Sequence, residues 1–100
     1  MTFDFLVPAQ DEFEEAFDWY QARSTRAAEG FRSRTARAIE AALARPTSAG
    51  FLVGQRVRKI LLTPYRYGLH YFVHDRVLYV VAVAHNRRRP GYWRRRVTWI

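Results

Sequence analysis

The chain of 100 residues is long enough for one domain around a single core, and we expect one domain over residues 1–100. Its hydrophobic fraction of 49% and aromatic fraction of 16% exclude a disordered chain, even at a net charge of +8. The absence of cysteine excludes disulfides, thiolate metal sites and thiol nucleophiles.

The N-terminal half predicts a strand followed by two helices. Apolar and polar residues alternate in TFDFLV, residues 2–7, which indicates a short strand that ends at Pro8. From about residue 8 to residue 23, aromatic and alanine side chains recur every three or four residues, so we expect a helix with one apolar face. A second helix is predicted over about residues 26–45, where Pro46 stops it. The short connection makes the two helices antiparallel.

The C-terminal half predicts a β-meander. After a loop over residues 46–54, PTSAGFLVG, three strand-like runs follow at about residues 56–63, 66–74 and 77–86. The third run is apolar on both sides, so we expect a central strand that the helices cover on one face and that is at least partly sheltered on the other. The order is β-α-α-β-β-β. We therefore predict an α+β fold in which the N-terminal strand and helical hairpin pack on a small, mainly antiparallel sheet.

Charge is distributed unevenly along the chain. Residues 1–22 contain six acidic side chains and no lysine or arginine, whereas residues 85–96 contain six arginines and no acid. A basic end on a folded domain attracts polyanions, above all nucleic acid, or else an acidic protein partner. No apolar run approaches the roughly 20 residues that cross a bilayer, and the N-terminus lacks a secretory signal. We expect a cytoplasmic protein with no membrane partner.

Three segments of the C-terminal half carry a resemblance to a known family. These are VRK before PYRY, a strand that ends in A-V-x-H, and the ending H-x-R-R-x-P-x-Y-W. Together with the predicted elements they resemble the RelE/ParE superfamily of bacterial type II toxins, often called plasmid stabilisation proteins, over nearly the whole chain. The resemblance implies growth inhibition and a cognate antitoxin. RelE-like members cleave mRNA on the ribosome, and ParE-like members poison DNA gyrase.

RNA cleavage without a metal needs a base for the ribose 2′-OH, cations for the phosphate and an acid for the leaving oxygen. Imidazole titrates near neutral pH and guanidinium matches phosphate oxygens, so both groups suit this chemistry. The expected catalytic set is His85, chosen for its imidazole, together with Arg66, Arg88 and Tyr92, which match positions that the resemblance to RelE-like ribonucleases implies. The expected target-binding set is Arg56, Arg58, Lys59, Arg87, Arg89, Arg94 and Arg95. Strand alternation places Arg56 and Arg58 on one face and Lys59 on the other.

Other interpretations of these residues stay open. The arginines could form a solvated basic end or the surface that receives an acidic antitoxin, and Tyr92 and Trp93 could pack the tail onto the sheet. His70 and His74 lie about 13 Å apart on a strand, so we expect no metal site, and no cofactor.

Three functions remain. A ribosome-dependent endoribonuclease that acts on mRNA is slightly favoured. The others are a gyrase inhibitor, which needs a binding surface but no acid or base, and a non-toxic basic module that binds nucleic acid.

Overall fold

The computed structural model describes residues 1–99 as a five-stranded sheet with two helices on one face and a C-terminal segment on the other. The elements are β1 (Thr2–Phe5), α1 (Val7–Gln21), α2 (Thr25–Ala44), β2 (Phe51–Gly54), β3 (Val57–Leu61), β4 (Tyr67–His74), β5 (Val77–His85) and a short 3-10 helix (Arg94–Val97). The α+β fold predicted from the sequence is confirmed. Over this part of the chain, neither helix is long and apolar enough to cross a membrane.

The sheet is mixed, with strand order β1-β5-β4-β3-β2. β1 runs parallel to β5, and the other three neighbouring pairs are antiparallel. β5 has a partner on each side, as its two-sided apolar sequence predicted. Its pairing with β4 shifts register beside His70 and Tyr71, which leaves Val81 as an extra residue in β5.

β2 corrects the sequence prediction, which treated residues 46–54 as a loop. Phe51–Gly54 pairs antiparallel with β3 through a two-residue turn at Gln55 and Arg56. Both turn residues have positive φ, at 49° and 68°. Neither is the glycine or asparagine that such a turn favours, and Phe51 and Leu52 are both exposed, so neither a turn motif nor alternation revealed this short edge strand. Arg56 therefore lies in a turn and not at the start of a strand.

The helical hairpin forms the core on one side of the sheet. Ser24 begins α2 as its N-cap, because its hydroxyl accepts from the backbone N–H of Ala27 at 3.1 Å. Phe31 of α2 is fully buried and its ring stacks on that of Phe13 from α1 at 5.5 Å. The apolar residues of β4 and β5 that face this side complete the core.

The C-terminal segment, residues 86–99, covers the other side of the sheet. Trp93 and Val97 are 2% and 3% exposed and pack with Val57, Phe72 and Val81. The arginine-rich sequence is therefore held by a second, smaller apolar core. This arrangement brings the end of β5, the middle of β3 and the first residues of the C-terminal segment together.

Candidate functional site

His85 stands at the centre of the candidate site, where β5 ends. It is half-buried and pairs with Tyr67 of β4, with the two rings 5.3 Å apart. The backbone N–H of Arg87 donates to His85 Nδ1 at 3.1 Å. Because Nδ1 accepts this bond, the neutral imidazole carries its proton on Nε2 and acts as a donor.

A cavity of about 140 Å³ opens beside His85, between β3 and the C-terminal segment. We call it the cationic cradle. Five of the residues predicted from the sequence line it: Lys59, His85, Arg88, Arg89 and Tyr92. The stem of Lys59 crosses over Gly68, where a Cβ atom would collide with Lys59 Cε. Glycine at this position thus makes room for the lysine to lie across the sheet.

His70 also lines the cradle, although the sequence predicted for it only that it would not bind a metal. It pairs with Lys59 across β3 and β4 and is 6% exposed, and its Nδ1 has no hydrogen-bond partner among the described residues. Burial, and then the nearby Lys59 ammonium, lower the pKa of His70 to about 4. His70 is therefore neutral at physiological pH. Little in the sequence indicates this role, because His70 stands among apolar residues of a strand, two residues after Gly68.

Glu12 of α1 holds the C-terminal segment through a polar cluster that the sequence prediction missed. Its carboxylate accepts from the Tyr92 hydroxyl at 2.7 Å and from the backbone N–H of Val83 at 3.1 Å. Arg96 donates to both carboxylate oxygens, at 2.9 and 3.0 Å, and also to the Val81 carbonyl at 3.0 Å. We call Glu12, Tyr92 and Arg96 the tail anchor. Glu12 and Arg96 are 84 residues apart in the sequence, so no local spacing could reveal their ion pair.

The tail anchor determines the protonation states of its members. Burial alone would raise the pKa of Glu12, but the hydrogen bonds from Arg96, Tyr92 and Val83 outweigh it and hold that pKa below its usual value. Burial, and then the bond to Glu12, raise the pKa of Tyr92. The tyrosine is thus a neutral donor to a carboxylate. Its ring also lies 4.1 Å from Arg88 Cζ, which places that guanidinium at the cradle.

The other predicted residues lie outside the cradle. Arg58 donates to the Gly50 carbonyl at 3.0 Å, and Lys59 faces the C-terminal segment beside His70, on the other side of β3. Arg66 is exposed just before β4 and shares a separate groove with His85. The remaining four are exposed in a turn or on the C-terminal segment: Arg56, Arg87, Arg94 and Arg95. Within residues 1–99, no three histidine or acidic side chains are grouped to hold a metal ion.

Two helices on a five-stranded mixed sheet are the fold of the RelE/ParE class of toxins. Within it, the model of the ParE toxin of the type II toxin-antitoxin system, parDE, matches residues 3–90, and the chain belongs to this family. No curated protein matches the sequence. Membership implies an antitoxin partner and argues against the third function above, a non-toxic binding module.

Proposed function

We propose that this toxin inhibits growth by binding DNA gyrase and does not cleave nucleic acid. The ParE family match supports this choice, because ParE-like members of the superfamily act on gyrase. The observation that carries the proposal is that both predicted proton-transfer groups are committed inside the protein. His85 Nδ1 accepts from Arg87, and the Tyr92 hydroxyl donates to Glu12.

A ribonuclease needs a group that accepts the proton of a 2′-OH. The Nδ1 lone pair of His85 is occupied by the backbone N–H of Arg87, and the raised pKa of Tyr92 opposes ionisation of its hydroxyl. His70 is neutral, but it is almost fully buried. Neither predicted proton-transfer group, His85 or Tyr92, is therefore free to act as this base. A binding surface has no such requirement, and the exposed arginines at the cradle rim supply positive charge for contact with an acidic surface of the target.

The test compares purified gyrase with translating ribosomes. We expect the toxin to block DNA supercoiling or to accumulate cleaved DNA, while mRNA on ribosomes stays intact. Arg88→Ala combined with Arg89→Ala should weaken the inhibition of gyrase, whereas Arg26→Ala, at an exposed position on α2, serves as the control. Cleaved mRNA together with unaffected gyrase would overturn the proposal.

The cradle itself favours ribosome-dependent mRNA cleavage as a second candidate. Lys59, Arg88 and Arg89 line one cavity with His85, which suits a phosphate beside a proton donor. If this function holds, His85→Ala or Arg88→Ala leaves the melting temperature near that of the wild type but abolishes mRNA cleavage. Unchanged cleavage by both variants would remove this assignment.

The antitoxin is expected to act on the same surface. An antitoxin segment that folds on binding can lay acidic and apolar side chains over the cradle arginines and so exclude the target. Titration of the toxin with its antitoxin should then restore gyrase activity at equal molar amounts. A complex that leaves inhibition intact would contradict masking.

A further inference from the structure

An aromatic groove of about 640 Å³ lies beside the cradle, and its aromatic side chains have no part in either proposed function. Its aromatic lining consists of Trp19, Tyr20, Tyr65 and Tyr67, and its polar lining includes Arg66 and His85. The volume lies within the range of about 300–1,000 Å³ that is usual for sites of small organic groups. Trp19 is 51% exposed although it is the largest apolar side chain of α1.

The rings of this groove are fixed before any ligand arrives. Tyr20 contacts Tyr65 edge-on at 5.2 Å and Trp19 at 5.1 Å. The Tyr65 hydroxyl lies against Gly30 of α2, where any side chain would collide with it. Arg23 places its guanidinium 3.7 Å from the Trp19 ring centroid and donates to the Trp19 carbonyl at 2.8 Å. Rigid aromatic surfaces with attached cations suit planar, electron-rich ligands, because little conformational entropy is lost on stacking.

The groove is continuous with the cradle. Trp19, Tyr67 and His85 also border a smaller depression that reaches Arg88, and Arg88 and His85 line the cradle in turn. Cationic side chains therefore lie along the connected surface that runs from Arg66 in the groove to the far end of the cradle. The acids on this path are Glu12, which Arg96 neutralises in the tail anchor, and the exposed Glu15.

Aromatic side chains beside a track of positive charge are the arrangement by which proteins hold unpaired bases. We propose that the aromatic groove binds an unpaired base of single-stranded nucleic acid, with Arg66 and Arg88 holding the flanking phosphates. A protein segment is the less favoured occupant, because most charged side chains along the path are cationic. This binding needs no gyrase, so it stands or falls separately from the function proposed above.

The test measures fluorescence anisotropy of labelled oligothymidine and oligouridine of about a dozen nucleotides, together with a duplex of similar length. Trp19→Ala should weaken single-strand binding about tenfold or more, because it removes a stacking surface. It should leave duplex binding unchanged, since paired bases cannot enter the groove. Trp19→Phe should restore part of the affinity. Phe51→Ala is the matched control, because Phe51 is 52% exposed on the edge strand β2, far along the sheet.

Tighter binding of oligouridine would support an RNA ligand, and tighter binding of oligothymidine would support DNA. Equal losses for single strand and duplex in Trp19→Ala would overturn the proposal, and so would a loss no larger than that of Phe51→Ala. It would also be overturned if Trp19→Ala weakened the antitoxin or gyrase complex while single-strand binding stayed unchanged.

Discussion

At the scale of single residues, Glu12 has a different environment from the other acids of α1. Asp11, Glu14, Glu15 and Asp18 are exposed, whereas Glu12 accepts four hydrogen bonds and joins α1 to β5 and to the C-terminal segment. Removing the charge of Glu12 leaves the largely buried Arg96 guanidinium without its partner. Leaving such a buried charge unpaired lowers the free energy of unfolding by more than the intact ion pair raises it.

We therefore predict that Glu12→Gln lowers the free energy of unfolding by about 3 kcal/mol. The control is Asp11→Asn, at an exposed position on the same helix turn. Urea denaturation of both variants at neutral pH measures the difference. Because the folded-state pKa of Glu12 is lowered, its contribution is present above the usual glutamate pKa and is lost as pH falls through the lowered value. Equal stabilities for the two variants would show that the tail anchor contributes nothing.

His70 predicts a second dependence of stability on pH. Its pKa is about 4 in the folded protein and near 6.5 in the unfolded chain. Between these values the unfolded chain binds a proton that the folded protein excludes, so stability falls as pH falls from 6.5 towards 4. The total loss should be about 3 kcal/mol, and His70→Gln should flatten the curve in this window. Unfolding free energies measured at several pH values in this range give the slope. An equally steep slope in the variant would contradict this assignment.

At the scale of elements, the C-terminal segment acts as the second cover of the sheet. Trp93 packs on the face opposite the helices, whereas Trp99, near its end, contacts the rings of Phe72 and Tyr79 and stays 53% exposed. The two tryptophans thus differ in burial within the same segment.

This difference predicts unequal effects of truncation. Trp93→Ala should lower the free energy of unfolding by about 3 kcal/mol or more, because it leaves a cavity against β3, β4 and β5. Trp99→Ala should cost about 1 kcal/mol, because much of its surface already meets water. Chemical denaturation measures the loss of unfolding free energy in both variants. Similar losses would indicate that the C-terminal segment does not bury Trp93 against the sheet.

The sequence predicted the long elements, since both helices have a clear apolar period, and β4 and β5 are strand-like runs bounded by polar turn residues. β2 escaped prediction because four residues with an exposed apolar pair show no period, and its turn has no glycine. In the site, the predicted group of Lys59, His85 and Arg88 does line one cavity. Strand alternation rightly separated Lys59 from Arg58. Glu12 and the aromatic groove depend on contacts between distant segments, which no local pattern records.

At the scale of the whole molecule, the placement of charge matters more than its sum. The exposed acids of α1 and the exposed arginines of the C-terminal segment belong to a body of only 38 × 27 × 21 Å. Screening acts over about 8 Å at physiological ionic strength, so each charge acts on a partner mainly near its own position on the surface. The target should therefore respond to the position of each arginine as well as to the net charge of +8.

Two charge-reversal pairs test this argument at equal net charge. Arg88→Glu with Arg89→Glu changes the cradle rim, and Arg26→Glu with Arg37→Glu changes exposed positions on α2. Each pair lowers the net charge by four, from +8 to +4. We expect the rim pair to weaken gyrase inhibition at least about tenfold and to reduce its dependence on salt, because charged contacts at the target are lost and replaced by repulsion. The α2 pair should stay within about threefold of the wild type, because α2 and the C-terminal segment lie on opposite faces of the sheet. Inhibition of supercoiling, titrated at several salt concentrations, provides both quantities. If the two pairs weakened inhibition equally, net charge alone would govern binding, and the cradle could not be the surface that meets the target.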